Sequence, residues 1–200
     1  MQSGHLTRRL ALLLPLALAA CGREPEPVFE PVRYNYLPPI QLNVAAIEIE
    51  QRFFPAGVAP DVSNQDPVPP IEALKTMAND RLQAFGTGNK AVFAILDGSM
   101  TRENDTVIGS MAVSLSILDD TGAQLGFAEA RVQSRRSGRV NAVPPALYDM
   151  TLAMMSDMNI EFEYQIRHNL KDWLTNTAAP GAPVEQAPLD QTPAGSSLDK

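Results

Sequence analysis

The chain has 200 residues, of which 44% are hydrophobic and 6% aromatic, and its 16 basic and 23 acidic side chains give a net charge of −7 at pH 7. An acidic chain of this kind is not expected to bind nucleic acid or anionic lipid surfaces through bulk electrostatics, so we predict no nucleic-acid partner. The sequence contains a single cysteine, Cys21, which rules out an internal disulfide.

The first 20 residues have the three parts of a secretory signal peptide. Arg8 and Arg9 form a basic region, the apolar run from Leu10 to Ala20 follows it, and small residues stand directly before Cys21. The apolar run is too short to span a bilayer. We therefore predict a signal peptide over residues 1–20, and its removal would leave 14 basic and 23 acidic residues, a net charge of −9.

The sequence Leu18-Ala19-Ala20-Cys21-Gly22 resembles the lipobox of bacterial lipoproteins. The resemblance implies that Cys21 becomes the acylated, palmitate-bearing first residue of the mature chain. An ordinary signal peptide with an incidental cysteine is the alternative. Two or more acyl chains bind a membrane stably, and Gly22 resembles the class kept in the outer membrane. We expect a lipid-anchored protein on the periplasmic face of the outer membrane, and the inner membrane is the alternative location.

Composition divides the mature chain into three parts. Residues 21–40 are rich in proline and read as a lipidated spacer, in which the roughly 18 residues from Gly22 to Pro39 would reach some 55 Å at about 3.1 Å per residue. Residues 175–200 are rich in Ala, Pro, Gly, Gln and Ser and predict a disordered tail. Residues 41–174 remain, which is enough for one domain with a single core.

The first half of this domain contains a strand, a long loop and a helix. Residues 41–51 predict a strand in which the apolar parity changes at Ala45-Ala46, through a bulge or a short break. Residues 55–70 hold five prolines and predict a long loop. A helix that ends at Gly86 and Gly88 is indicated by apolar residues on one face: Ile71, Leu74, Ala78, Leu82 and Phe85.

The second half reads as three strands and a helical segment. Residues 90–96 are apolar at nearly every position, which is typical of a strand covered on both faces or central in a sheet. Residues 107–118 alternate cleanly, and a turn at residues 119–122 leads into a second alternating run over residues 124–133, so a hairpin is expected. Residues 144–174 keep one apolar helical face, as one helix or as two joined near residues 157–159.

The predicted element order is β-α-β-β-β-α. A right-handed crossover followed by a meander gives an α+β two-layer sandwich, in which a four-stranded mixed sheet carries both helices on one face. The other sheet face must then be solvated, or covered by the spacer, the long loop or a partner.

Three methionines in the last helical segment, Met150, Met154 and Met158, share a helix face. Core filling and an adaptable apolar binding surface are both open interpretations, and copper(I) binding through thioethers is a third. His168 has Glu161 seven residues before it, but two ligands do not make a metal site. We predict no metal and no cofactor.

A basic cluster stands out in the acidic mature chain: Arg131, Arg135, Arg136 and Arg139. It could receive an acidic partner or a phosphate group, or it could be a solvated loop. The carboxylates Asp97, Asp105, Asp119 and Asp120 fall at predicted strand ends and turns, where aspartate bonds to local backbone. A glycosidase-like pair among them is the alternative.

The lipobox, spacer, crossover helix, three-strand meander and final helix are together similar to small Gram-negative envelope lipoproteins of the YajG or LptE type. The stretch Met155-Ser156-Asp157-Met158 before the final helix is a local echo of these proteins. The resemblance implies a non-enzymatic binding or scaffolding role in envelope assembly or transport, with an envelope protein as partner and no catalytic residue. An apolar-ligand carrier or sensor, and a hydrolase with an unrecognised carboxylate pair, are the alternatives.

Overall fold

The computed structural model describes residues 27–138 and 143–175. The predicted signal peptide, Cys21, Arg139 and the predicted tail beyond residue 175 lie outside the described residues. Within the described ranges the chain forms six strands and two α-helices: β1 (Ile40–Leu42), β2 (Ala46–Gln51), α1 (Pro70–Arg81), β3 (Leu82–Ala84), β4 (Lys90–Glu103), β5 (Thr106–Leu118), β6 (Gln124–Ser137) and α2 (Val143–Asn169).

The main sheet has four strands in the order β2-β4-β5-β6. Strand β2 runs parallel to β4, and the pairs β4–β5 and β5–β6 are antiparallel. A Cβ atom added at Gly98 would meet Ile71 of α1, and one added at Gly109 would meet Met154 of α2. Gly98 is paired with Met111, which has the same strand parity as Gly109, so both helices cover one face. The predicted α+β two-layer fold is confirmed.

The first predicted strand is divided by a short break, one of the two alternatives that the change of parity left open. Strand β1 leaves the main sheet and pairs in parallel with β3 in a second, two-stranded sheet, while β2 pairs with β4. Leu42, at the end of β1, and Val44, within the break, are both fully buried. The break therefore allows one apolar segment to contribute to two sheets around the same core.

The prediction that α1 continues to Phe85 is wrong. The helix ends at Arg81, residues 82–84 form β3, and the Phe85 side chain is 64% exposed. The backbone there approaches β1 so closely that a Cβ at Gly86 would lie 2.6 Å from the carbonyl carbon of Asn43. Gly86 is thus needed for a strand contact, whereas the sequence suggested only a helix stop.

The long loop before α1 is fixed to the rest of the fold by polar contacts. Asp61 accepts backbone hydrogen bonds from Gly57 and Ser63, at 2.8 and 2.9 Å, and the Ser63 hydroxyl accepts one from Met100 of β4. Asp66 is bonded to the Thr151 hydroxyl of α2 at 2.5 Å, and burial raises the pKa of the Asp66 carboxyl. The loop is therefore tied to both layers of the domain.

Helix α2 is one continuous helix of 27 residues, about 40 Å long at 1.5 Å per residue. It passes through residues 157–159 without a joint and ends at Asn169, and a short 3-10 helix, Lys171–Trp173, follows. Of the two alternatives for residues 144–174, the single helix is the one that forms.

The packed domain begins earlier than the predicted boundary at residue 41, because part of the predicted spacer lies against the helices. The Tyr34 side chain is only 4% exposed, and its hydroxyl donates a 2.7 Å hydrogen bond to the Met155 carbonyl of α2. Arg33 forms an ion pair with Asp80 at 2.8 Å, and Arg81 donates to the Pro38 carbonyl. We call residues 27–38 the N-terminal strap.

Strand β5 is packed so tightly beneath α2 that a side chain at Gly109 would have no room. An added Cβ would lie 2.6 Å from Met154 Sδ and 2.9 Å from Met150 Cε. We therefore expect Gly109→Val to lower the free energy of unfolding by about 1–3 kcal/mol through overpacking. Gly88→Ala, where an added Cβ has no neighbour within 4 Å, is the matched control in urea unfolding. Equal stability of the two variants would contradict this packing.

Candidate functional site

The face of the main sheet that points away from both helices is the first candidate surface, and we call it the outer face. The strand registers place its side chains in rows that cross the sheet. One row holds Glu48, Val92, Ser116 and Phe127, and the next holds Glu50, Ala94, Ser114 and Glu129. The face therefore has small side chains along its middle and charged or aromatic ones on its two edge strands.

The middle of the outer face is almost inaccessible to solvent. Val92, Ala94, Ala112 and Ser114 are each at most 3% exposed. Phe127 on β6, in contrast, is 41% exposed, and Leu125 near the start of the same strand is 48% exposed. An apolar surface that remains accessible is thus concentrated on the edge strand of the sheet.

The basic cluster predicted from sequence is divided between the two faces of β6. Arg131 and Arg135 have the parity of the outer face, opposite Ala112 and Ile108, whereas Arg136 is opposite Val107 on the helix side. Arg131 is paired with Glu129, and Arg136 donates a 3.3 Å hydrogen bond to the Ala146 carbonyl of α2. Successive residues of a strand point to opposite faces, so adjacency in sequence does not make one basic site here.

The sequence missed a basic neighbour of this strand. Arg102 of β4 is in register with Val107 and hence with Arg136, and both arginines border the small space beneath the first turns of α2. A pairing register across three strands produces this proximity, and no local pattern around Arg102 indicates it.

The three candidate methionines are in the core. Met150, Met154 and Met158 are at most 2% exposed, and the first two lie directly over Gly109. Their position is that of core filling, the first of the interpretations that the sequence left open. A partner could reach these side chains only if α2 moved away from the sheet.

The cavity between the sheet and the start of α2 is small. A cavity beneath the start of α2, lined by Val107, Leu147 and Met150 among others, has a volume of about 10 Å³. That is room for one water molecule at most. The carrier hypothesis expects an enclosed apolar cavity in this layer, and a space of this size could not hold a ligand.

A larger cleft is open to solvent where the long loop meets the sheet. It has a volume of about 330 Å³, and its lining is mostly apolar, with Phe53, Phe54 and Val58 on the loop side and Ser99 and Thr101 on β4. Phe54 is 72% exposed and Val58 69% exposed. The sequence predicted only a long loop here and gave no sign of these exposed side chains.

Three of the candidate carboxylates lie at or beside hairpin turns, whereas Asp97 lies inside β4 at a bulge and not at the strand end that the sequence predicts. Asp97 accepts a hydrogen bond from the Ser99 amide, and Asp119 accepts bonds from the amides of Thr121 and Ala123 and from the Thr121 hydroxyl, which lowers its pKa. Asp105 and Asp120 lie at the two hairpin turns. These are local hydrogen bonds of the kind that aspartate favours.

The histidine and glutamate on α2 are directed to separate partners. The His168 ring stacks on Tyr164 with centroids 5.9 Å apart, and Glu161 accepts a hydrogen bond from Gln165 at 2.8 Å. In residues 27–138 and 143–175 there is no group of three His, Cys, Asp or Glu side chains placed to hold a metal ion. Within the same residues, no helix has the length and hydropathy required to cross a membrane.

Comparison with known proteins yields distant structural similarity only. No protein-family model matches the chain, and no curated protein matches it. A minor lipoprotein from Acinetobacter baumannii matches with 14% identity over 68% of this chain and 98% of its own, at a TM-score of 0.31. A candidate lipoprotein from Caulobacter crescentus CB15 matches with 17% identity over 48% of this chain and 70% of its own, at a TM-score of 0.26. Superpositions at this level carry no argument about function.

Proposed function

We propose that this chain is an envelope lipoprotein, anchored through acylated Cys21 on the periplasmic face of the outer membrane. The support comes from the sequence Leu18-Ala19-Ala20-Cys21-Gly22, which follows a basic and an apolar region in the order of a lipoprotein signal. Lipidation also gives a role to a cysteine that has no disulfide partner in the chain.

The domain itself has a non-enzymatic role in this proposal, and it binds a protein partner of the envelope through the outer face. The observation that carries this part is the exposed apolar edge of the sheet. Phe127 and Leu125 stay accessible on β6 next to a row of small side chains that leaves the sheet surface even. Partially exposed aromatic groups beside such a surface are typical of protein interfaces.

A single substitution on the outer face tests the binding role. Ser110 of β5 lies between Ser99 and Gln133, so Ser110→Arg should add bulk and charge to this face without entering the helix-side core. Ser156→Arg is the matched control, because Ser156 is exposed on α2 on the opposite side of the domain.

The readout is affinity capture of the tagged lipoprotein from solubilised membranes. We expect the wild type and Ser156→Arg to recover the same membrane protein in stoichiometric amount, and Ser110→Arg to lose at least about tenfold of that recovery, the loss that 1.4 kcal/mol of binding free energy produces. Equal recovery by both variants would contradict binding through the outer face. Failure of the wild type to recover any stoichiometric partner would contradict the binding role itself.

A further inference from the structure

The N-terminal strap determines which end of the domain is attached to the proposed anchor. The Phe29 and Tyr148 rings are in edge contact with centroids 5.1 Å apart, and the Tyr148 hydroxyl donates a 2.9 Å hydrogen bond to the Glu30 carbonyl. Further along, Tyr34 is bonded to Met155. The strap therefore runs along α2 in the direction of the helix and begins beside its first turns.

These contacts shorten the free tether. Eight residue steps separate Cys21 from Phe29, which is about 28 Å at full extension, compared with some 55 Å for a spacer that ends at Pro39. Since α2 alone is about 40 Å long, the far end of the domain lies beyond the reach of this tether. The end that carries the start of α2 must stay near the membrane.

Several elements meet at this end, which we call the proximal end. Arg136 is bonded to Ala146 of α2 and is in register with Arg102. The Arg102 amide donates a 2.8 Å hydrogen bond to the Pro60 carbonyl of the long loop. The contacts thus continue from the strap through α2, β6, β5 and β4 to the loop.

The side chains exposed at the proximal end suit a membrane surface. Val28, Phe54 and Val58 are 86%, 72% and 69% exposed. The basic groups nearby are Arg52, Arg102, Arg135 and Arg136, and the acidic groups are Glu30, Glu50, Asp61, Glu103, Asp105 and Asp149. Exposed apolar groups with arginines among them are typical of interfacial contact, in which apolar side chains enter the headgroup boundary and arginines bind phosphate.

We propose that the proximal end rests on the phospholipid surface that holds Cys21, with Phe54 and Val58 in the headgroup region. This inference rests on the proposed lipid anchor. The outer face, with Phe127, is then held roughly perpendicular to the membrane and available to a partner in the periplasm. Because the charges at this end are mixed, apolar insertion makes the main contribution to membrane binding, and the arginines make a smaller one.

Tryptophan fluorescence can test this orientation because the chain has a single tryptophan. We would prepare Phe54→Trp and, as the matched control, Phe85→Trp, each in a full-length acylated chain that also carries Trp173→Phe. Phe54 and Phe85 are similarly exposed, at 72% and 64%. They are separated along β4 by about ten residues, or roughly 30 Å, because Phe85 precedes this strand and Phe54 lies beside Ser99.

Both proteins are reconstituted in vesicles of phosphatidylethanolamine and phosphatidylglycerol with brominated acyl chains, which quench tryptophan at the membrane. We expect a blue-shifted, strongly quenched emission for Phe54→Trp and an unquenched emission for Phe85→Trp. Equal quenching of the two, or quenching of neither, in protein that floats with the vesicles would overturn the orientation and leave the anchor in place. Protein that does not float would overturn the anchor and the orientation with it.

A pair of charge reversals tests the arginine contribution in the same vesicles. Arg135→Glu at the proximal end should lower the quenching of Phe54→Trp, whereas Lys171→Glu, which makes the same charge change beyond the end of α2, should leave it unchanged. Thermal unfolding of each variant controls for folding. An equal loss of quenching in both variants would assign the effect to net charge and contradict a local contact with lipid phosphate.

Discussion

The Glu163→Ala variant should lose about 2–3 kcal/mol of unfolding free energy, because it leaves a buried guanidinium without its counter-ion. Arg81, at the end of α1, has a side chain only 3% exposed and is paired with Glu163 of α2, which is 31% exposed. Arg81 Nε is buried and has no hydrogen-bond partner. The desolvation of this cation therefore depends heavily on Glu163 and on the Pro38 carbonyl.

The prediction has a matched control and a rescue. Glu161→Ala, two residues away on the same helix, removes only a half-buried hydrogen bond with Gln165 and should change the unfolding free energy by about 0.5 kcal/mol or less. Adding Arg81→Met to Glu163→Ala removes the uncompensated charge and should restore part of the loss. Urea unfolding of the four proteins measures these differences. A Glu163→Ala variant as stable as Glu161→Ala would contradict the role of this ion pair.

The ion pair also explains why the strap is part of the domain. Arg81 connects α1, α2 and the strap through Glu163 and Pro38, and Asp80 beside it binds Arg33, whose guanidinium holds the pKa of the Asp80 carboxyl below its usual range. The inference about orientation depends on this fixation, since a detached strap would restore the longer tether.

Strand periodicity made most of the sheet predictable. The alternation along residues 107–117 indicates a strand with one face buried. The observed strand is β5, and the odd-numbered residues of this range face α2. Residues 91–95 are apolar throughout because β4 is interior in the sheet, and all five are buried. In both places local pattern and tertiary environment agree, so the sequence alone was sufficient.

The end of α1 was not predictable because a helical period continues by coincidence into a strand. Leu82 extends the apolar face of the helix, and the strand that begins there pairs with β1, some 40 residues earlier in sequence. The strap was missed for a related reason. Its prolines favour a spacer, whereas Tyr34 is held by Asp80 and Met155, which only the folded chain brings near.

The candidate surfaces also contain one part that the sequence predicts and one part that it does not. Phe127 could be placed on the outer face from alternation alone, since Ala128 and Ala130 mark the inward parity of β6. Arg102 and Arg136, in contrast, are brought together by the register of three strands, and Phe54 is exposed beside Ser99 because the loop runs along the edge of β4. Sequence reasoning could not supply either arrangement.

The largest effect that we expect from a single substitution concerns the anchor. Cys21→Ser removes the thiol that the lipobox resemblance assigns to acylation, so incorporation of an alkyne-tagged fatty acid should fall to background. Each buried methylene contributes about 0.8 kcal/mol to membrane binding, and loss of all acyl chains should therefore abolish partition into a detergent phase. A second variant that combines Cys21→Ser with Ser196→Cys restores a thiol elsewhere and should remain unlabelled.

Labelling that returns with Ser196→Cys would indicate acylation of any accessible thiol and would contradict a specific lipobox. Unchanged labelling of the Cys21→Ser variant would also contradict a specific lipobox. The proposal predicts a drop in labelling for Cys21→Ser, both with and without Ser196→Cys, and normal labelling of Gly22→Ala.

The most direct test is the intact mass of the protein extracted from membranes, combined with fragmentation of its first residues. The proposal predicts a chain that begins at Cys21, with a mass above that of residues 21–200 by a diacylglyceryl group and an amide-linked acyl chain, all located on Cys21. A mature chain that begins at another residue, or an unmodified Cys21, would contradict the lipid anchor and the orientation built upon it.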